Sequence, residues 1–298
     1  MANILDTAKR AQILSMLVEG MSMRSVTRIT GVSINTVCKL LVDAGNACAA
    51  YHDETVRDVK AARVQCDEIW SFVAAKQKNV KAMKEPVDGA GDVWTWTALD
   101  ADSKLIVSYL VGGRDGQYAL AFMDDVAARL ANRVQLTTDG HKAYLEAVEG
   151  AFGCDVDYAQ LVKLYGSAPE SAKGRYSPAE CTGIRKNKIE GEPDEKHVST
   201  SYVERMNLNI RMGNRRFTRL TNAFSKKIDN HLHMLSLYFV HYNFCRQHKS
   251  LGGLSPAMEA GISDTLHDTE WIVGLIDAQK PAPKKRGPYK PRKKDNSN

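Results

Sequence analysis

Arg63-Val-Gln-Cys-Asp67-Glu-Ile-Trp70-Ser-Phe-Val-Ala-Ala75 decides how the chain folds. Val64, Ile69, Trp70, Phe72 and Val73 favour a strand, and so dense an apolar run predicts one covered on both faces. Asp67 sits inside it. A carboxylate in such a strand is costly unless it is paired, hydrogen-bonded or bound to a cation, so this residue needs a partner or a function.

Downstream, Asp92 to Leu99 and Leu105 to Val111 are further β-rich runs, joined by the turn Asp100-Ala-Asp-Ser103. A helix is predicted over Tyr118 to Leu130, then a short strand from Arg133 to Thr138 that ends at Asp139-Gly140, then helix-like His141 to Val148. Three sequential strands followed by alternating helices predict an α/β, ribonuclease-H-like (integrase-like) fold, with a mixed sheet and helices on its faces. Residues 153–198 are rich in Gly, Pro, Lys and Glu and read as a long insertion before a helix that carries Glu204. A helix from about Ser225 to His248 presents Ile228, Leu232, Leu235, Phe239 and Tyr242 on one side.

Upstream, Ile13, Leu14, Leu17 and Val18 recur at helical spacing until Gly20, and a second short helix follows Ser22. Gly31 marks a turn, and Ser33 is the N-cap of a third helix to about Val42. This is the grammar of an all-α helix-turn-helix unit over residues 1–50, whose third helix offers Ser33, Asn35, Thr36 and Lys39 to DNA. A three-helix packing unit fits the same pattern.

The chain has 298 residues and a net charge of +6. Residues 281–298 hold seven Lys or Arg against one acid, so this basic tail, expected to be disordered, accounts for the whole excess. Within the neutral remainder, Arg205, Arg211, Arg215, Arg216, Arg219, Lys226 and Lys227 follow Glu204 with no acid among them. Arginine's planar fork suits phosphate, although a solvated basic face would look alike. No long apolar run marks a signal or membrane span, and the six cysteines form no C-x-x-C pair. A cytoplasmic, nucleoid-associated protein with reduced thiols is expected.

Asp67 in a strand, Asp139 at a strand's carboxyl end and Glu204 on a later helix can converge on one sheet edge, where such folds place ligands. Two Mg²⁺ ions about 3.5–4 Å apart, held by oxygen ligands, activate one oxygen and stabilise another in phosphodiester chemistry. Single residues have ordinary readings too. Asp139 suits a turn or helix cap, and Glu204 suits a capping box with Ser201. Along the same helix, Asn207 and Arg211 share a face with Glu204 and would meet phosphate.

The motifs Cys66-Asp-Glu-Ile-Trp70, Trp94-Thr-Trp96, Thr138-Asp-Gly140 and Ser201-Tyr-Val-Glu-Arg-Met-Asn207, with Arg215-Arg-Phe-Thr-Arg219 and Phe224-Ser-Lys226, resemble bacterial insertion-sequence DDE transposases of the insertion-sequence-one kind. The resemblance covers about residues 60–262 and extends to Tyr242-Asn243, His248 to Leu251 and Ser255-Pro256. It implies a catalytic domain there, followed by a helical segment over 263–280. It also implies a metal-binding triad of Asp67, Asp139 and Glu204 holding two Mg²⁺, for which Mn²⁺ can substitute. Partners would be double-stranded DNA, as element ends and target, and further copies of the chain in a homo-oligomer. His141, Lys142, Asn207, Arg211, Arg215, Arg216, Arg219 and Lys226 would join the third helix in touching DNA. The cysteine zinc motif often found at the N-terminus of such proteins is missing. A catalytically inactive regulator derived from a transposase, or a structure-selective nuclease, would share most of these features.

Overall fold

The computed structural model describes residues 4–85, 87–166, 181–218 and 222–280. Arg219 and the basic tail therefore lie outside the described residues. Three helices come first: α1 (Thr7–Val18), α2 (Met23–Thr30) and α3 (Ile34–Thr55). Asp6, Ser22 and Ser33 cap them, each accepting a backbone N–H of the first turn that has no partner within the helix. Gly31 ends α2 at φ 71°, a left-handed conformation open to glycine at little cost.

The third helix does not stop near Val42. Leu40, Leu41, Ala44, Ala47 and Cys48 continue its buried face through the expected boundary at residue 50 to Thr55. That face packs on α8 (Ile228–Val240). Gly45 is the close approach, since a Cβ there would run into the Cα and Cβ of His233. The expected long helix at 225–248 is correspondingly shorter. After Val240 it loosens into a π-helical turn, His241–Cys245, in which Asn243 faces inward. Asn243 Oδ1 accepts from Ile106 N–H and its Nδ2 donates to Ile106 C=O, both at 2.9 Å. This pairing ties the turn to the start of β3 (Ile106–Gly112).

Six strands form one mixed sheet in the order β3-β2-β1-β4-β5-β6. β1 (Arg63–Val73) pairs antiparallel with β2 (Gly91–Asp100) and parallel with β4 (Gln135–Asp139). The short α4 (Gln77–Val80) lies between β1 and β2, α5 (Gly116–Arg129) lies between β3 and β4, and α6 (Ala143–Phe152) follows β4. Residues 153–198 are not simply an insertion. Asp157–Tyr165 is β5, parallel to β4 from Gln135↔Asp157 onward, and Cys181–Glu190 is β6, antiparallel to β5. Their sequence carries little strand signal because the register of β5 comes from its neighbour β4.

α7 (Ser201–Gly213), α9 (Pro256–Glu259) and α10 (Thr269–Ala278) are the remaining α-helices among the described residues, with α10 packed against α1 and α3. One continuous core runs from Leu14 and Leu41 through Val64 and Ile69 to Phe239 and Ile276. Among the described residues, no helix is long and apolar enough to cross a membrane. Gly45→Ala is expected to force α3 away from α8 and to cost about 1–3 kcal/mol, the range for overpacked cores. Chemical denaturation would register this as a lower midpoint, and an unchanged midpoint would show that the helices can separate freely.

Candidate active site

The pairing of β1 with β4 ends at Cys66↔Thr138. The next residue on each strand is an acid, so Asp67 and Asp139 lie side by side where the parallel ladder stops. Gln65 brings in the third element. Its buried Oε1 accepts from the N–H groups of Tyr202 and Val203, at 2.9 and 3.2 Å. Two open donors of the first turn of α7 are thereby satisfied by β1 itself. Val203, Met206, Asn207 and Ile210 form the buried face of α7, and Glu204 turns toward the cleft.

Asp67, Asp139 and Glu204 line one open cleft of about 490 Å³, together with Arg114, His141, Lys163 and Thr200. One oxygen each from Asp67, Glu68 and Asp139 lie within 4.8 Å of one another. Glu204 stands across the cleft from that trio, with Oε2 accepting from Lys163 Nζ and Oε1 from Thr200 Oγ1, each at 2.5 Å. Ser201 N–H bonds Ser199 Oγ rather than Glu204, so the alternative reading of Glu204 as a capping-box partner of Ser201 is not realised. Asp139 does make a turn contact, accepting from His141 N–H at 2.9 Å, but that occupies only Oδ1.

Neutral donors hold Asp67. Oδ1 accepts from Glu68 N–H at 2.9 Å and Oδ2 from Asn207 Nδ2 at 2.8 Å. Burial, then the charges of Glu68 and Asp139, push its carboxyl up to about 7. Burial and Asp139 also raise Glu68, against the pull of Arg114 and Tyr144. Glu68 accepts from Arg114 Nε at 2.6 Å and from Tyr144 O–H at 2.9 Å. Burial opposes the charge on Lys163, but the bond to Glu204 outweighs it and holds the ammonium above its ordinary range.

These oxygens fit a hard cation. The donor set is carboxylate, Asp67 is crowded by like charge, and the buried Oδ1 of Asn207 has no hydrogen-bond donor among the described residues.

The residues expected to contact DNA separate into three groups. Ser33, Asn35, Thr36 and Lys39 are exposed at the start of α3, although Ser33 caps the helix and Lys39 pairs with Asp43 at 2.7 Å. Lys142, Arg215 and Lys226 are exposed, and His141 and Arg211 are half-buried. Arg215 and Lys226, with Arg24, line an open groove of about 810 Å³ between α2–α3 and the segment after α7.

One expectation needs correction. Asn207 is buried on Asp67 and orients that carboxylate instead of meeting phosphate. Arg216 also lines the groove of Arg215 and Lys226, while its Nε donates to Ser225 Oγ at 2.7 Å and burial lowers it to about 10.

Sequence reasoning missed Glu68, Arg114, Lys163 and Gln65. Glu68 was within reach, because a second acid in the same apolar strand raises the same question as Asp67. Lys163 was hidden by the insertion reading of β5.

No protein-family model matches the chain, and no curated protein does. Among solved structures, the chain is similar to piggyBac transposase in a synaptic complex with hairpin DNA. The identity is 9%, covering 91% of this chain and 70% of that one, with a TM-score of 0.39. It is also similar to a pre-cleavage Mos1 transpososome, at 11% identity over 53% of this chain and 60% of that one, with a TM-score of 0.22. The Mos1 strand transfer complex matches at 11% identity over 80% and 79% of the two chains, with a TM-score of 0.23.

Asp67 binds its proton more tightly in the folded chain, near pH 7, than in the unfolded one, at about 3.9. Its contribution to stability is therefore complete at low pH and is lost as pH rises through about 7. Without metal, the melting temperature is expected to fall between about pH 4 and about pH 7, and to fall less in Asp67→Asn. Thermal melts in a chelating buffer test this, and equal falls in the two proteins would contradict the assignment.

Proposed function

We propose that the chain is a DNA transposase of the DDE type, with a ribonuclease-H-like catalytic fold and an N-terminal helix-turn-helix that recognises the ends of an insertion sequence. The observation that carries this reading is the meeting of Asp67, Asp139 and Glu204, from β1, β4 and α7, in one cleft beside Arg114 and Lys163. Strand order supports the fold, since β1 has antiparallel neighbours on one side and parallel β4 and β5 on the other. The bacterial insertion-sequence assignment rests on the motif resemblance from Cys66 to Ser255-Pro256.

Asp67, Asp139 and Glu204 would hold Mg²⁺, with Glu68 close enough to join them. Two such ions activate an attacking oxygen and stabilise a departing one in phosphodiester cleavage and strand transfer. The protein's own part is positioning. Asn207 and the Glu68 N–H fix the rotamer of Asp67, and Gln65 anchors the helix that presents Glu204. Lys163 and Arg114 supply cations where a scissile phosphate would lie. Exposed Asn35 and Thr36 would read base edges, while Arg24, Arg215 and Lys226 would hold the backbone of duplex DNA. Pairing two ends calls for at least two copies of the chain.

Purified protein incubated with Mg²⁺ and DNA carrying the element's ends should cleave and join strands. Asp67→Asn, Asp139→Asn and Glu204→Gln should each abolish the reaction. Asn207→Ala, which loosens a ligand without removing it, should cost about 10–100-fold. Strand transfer by Asp67→Asn at the wild-type rate would refute the site.

A further inference from the structure

The carboxylate chemistry leaves part of the sequence motifs unused, namely Trp70 and Trp94. β1 outruns β4 after Cys66, and side chains of its second half alternate between two surroundings. Asp67 and Ser71 face α7 and α8, bonding Asn207 and His231. Glu68, Trp70 and Phe72 face the other way, with Trp96 and Trp94 across from Glu68 and Trp70. α5 and α6 cover the Trp96 end, where Phe122 and Tyr144 pack on the indole. Trp70, Phe72 and Trp94 are only partly covered.

Three of the rings are in contact in series, and Trp94 is the cross-strand partner of Trp70. Trp70 and Phe72 lie 5.8 Å apart, and Phe72 and Phe224 lie 4.9 Å apart. Cations stand over them. Arg114 sits 4.7 Å from the Trp94 ring while bonding Glu68, and Lys76 Nζ is 5.8 Å from Trp70 and 5.9 Å from Phe72. Lys76, Lys78, Lys81 and Lys84 fall within nine residues that contain no acid. At one end the strip meets the carboxylate cleft through Arg114, and at the other Phe224 lines the groove of Arg24, Arg215 and Lys226.

We infer that this strip of Trp94, Trp70, Phe72 and Phe224 is a stacking platform for unpaired DNA bases next to the catalytic cleft. The inference rests on the DNA strand-cutting reading of that cleft. Duplex DNA has no base faces to offer along its side, whereas an unpaired strand presents both a ring face and a phosphate at every nucleotide. Half-covered aromatic rings beneath cations match that pattern, and they do so without sequence preference. A protein segment would gain from the rings but not from four lysines without acids. A strand frayed open at the cutting site would thus be held between the cleft and the duplex groove.

The test uses the full chain with no divalent metal, a labelled twenty-nucleotide oligothymidylate and a duplex of equal length. Two measurements are taken, fluorescence anisotropy and quenching of tryptophan emission. Trp96 is fully buried, so quenching reports mainly on the other indoles. The wild type should bind the single strand with quenching. Phe72→Leu and Lys76→Glu, which keep all four tryptophans, should each weaken single-strand binding about tenfold and duplex binding far less. Thermal melts establish that the variants are folded. Should either misfold, quenching in the wild type still decides, because single-strand binding without it overturns the platform.

Equal single-strand affinity in folded variants and wild type would also overturn the proposal. So would wild-type self-association that the variants abolish while single-strand binding persists, which would make the strip a protein interface. Asp67→Asn separates the two readings. If it keeps quenching but loses Mg²⁺-dependent cleavage, both stand. If the wild type quenches but never cleaves, only the transposase reading falls.

Discussion

Three carboxylates, Asp67, Glu68 and Asp139, crowd the point where the β1–β4 ladder stops, with Glu204 lining the same cleft, and the surrounding structure is arranged around their mutual repulsion. Each would be tolerable alone in water. Asp67 is held near neutral pH in its titration by burial and by Glu68 and Asp139. Neither of the two cations in the cleft bonds Asp67, because Arg114 takes Glu68 and Lys163 takes Glu204. Among the described residues, the Asp67 carboxylate is bonded only by an amide side chain and a backbone N–H. Such an arrangement stores unfavourable charge that a bound cation would relieve, and stabilising the chain for its own sake would call for an apolar residue instead.

Holding that charge in place explains connections that would otherwise look incidental. Gln65 spends a buried side chain on the first turn of α7. Glu68 is enclosed by Tyr144 from α6. The π-helical turn after α8 exposes no backbone cost because Asn243 completes the edge of β3. α3 crosses α8 at Gly45, so the N-terminal helices share the core that supports the sheet.

Much of this was legible in the sequence, for identifiable reasons. The strand at Arg63–Val73 announced itself through dense apolar residues, and Asp67 through its conflict with them. The β2–β3 hairpin carried its own turn residues, and Ser22, Ser33 and Gly31 carried the helix boundaries. β5 was missed because its order is imposed from outside by β4, and Lys163 was lost with it. The basic run after Glu204 offers phosphate ligands by composition, yet spacing along a chain does not say which side chains turn inward. Asn207 faces Asp67, and Arg216 lies against Ser225 and Met23.

Net charge illustrates the same point at a larger scale. The excess of +6 belongs to the tail, and the remainder is neutral overall. The neutrality is not uniform in space. Acids converge within the cleft, while Lys76 stands over the rings of Trp70 and Phe72, and Arg24, Arg215 and Lys226 line a separate groove. One strand organises this separation. Because β1 alternates its faces and extends beyond β4, it delivers Asp67 to α7, Glu68 to α6 and two aromatic rings to the open surface, within six residues. A one-residue slip in its register would exchange those faces and leave Asp67 against Tyr144, so the geometry of the whole site is fixed by how β1 is paired.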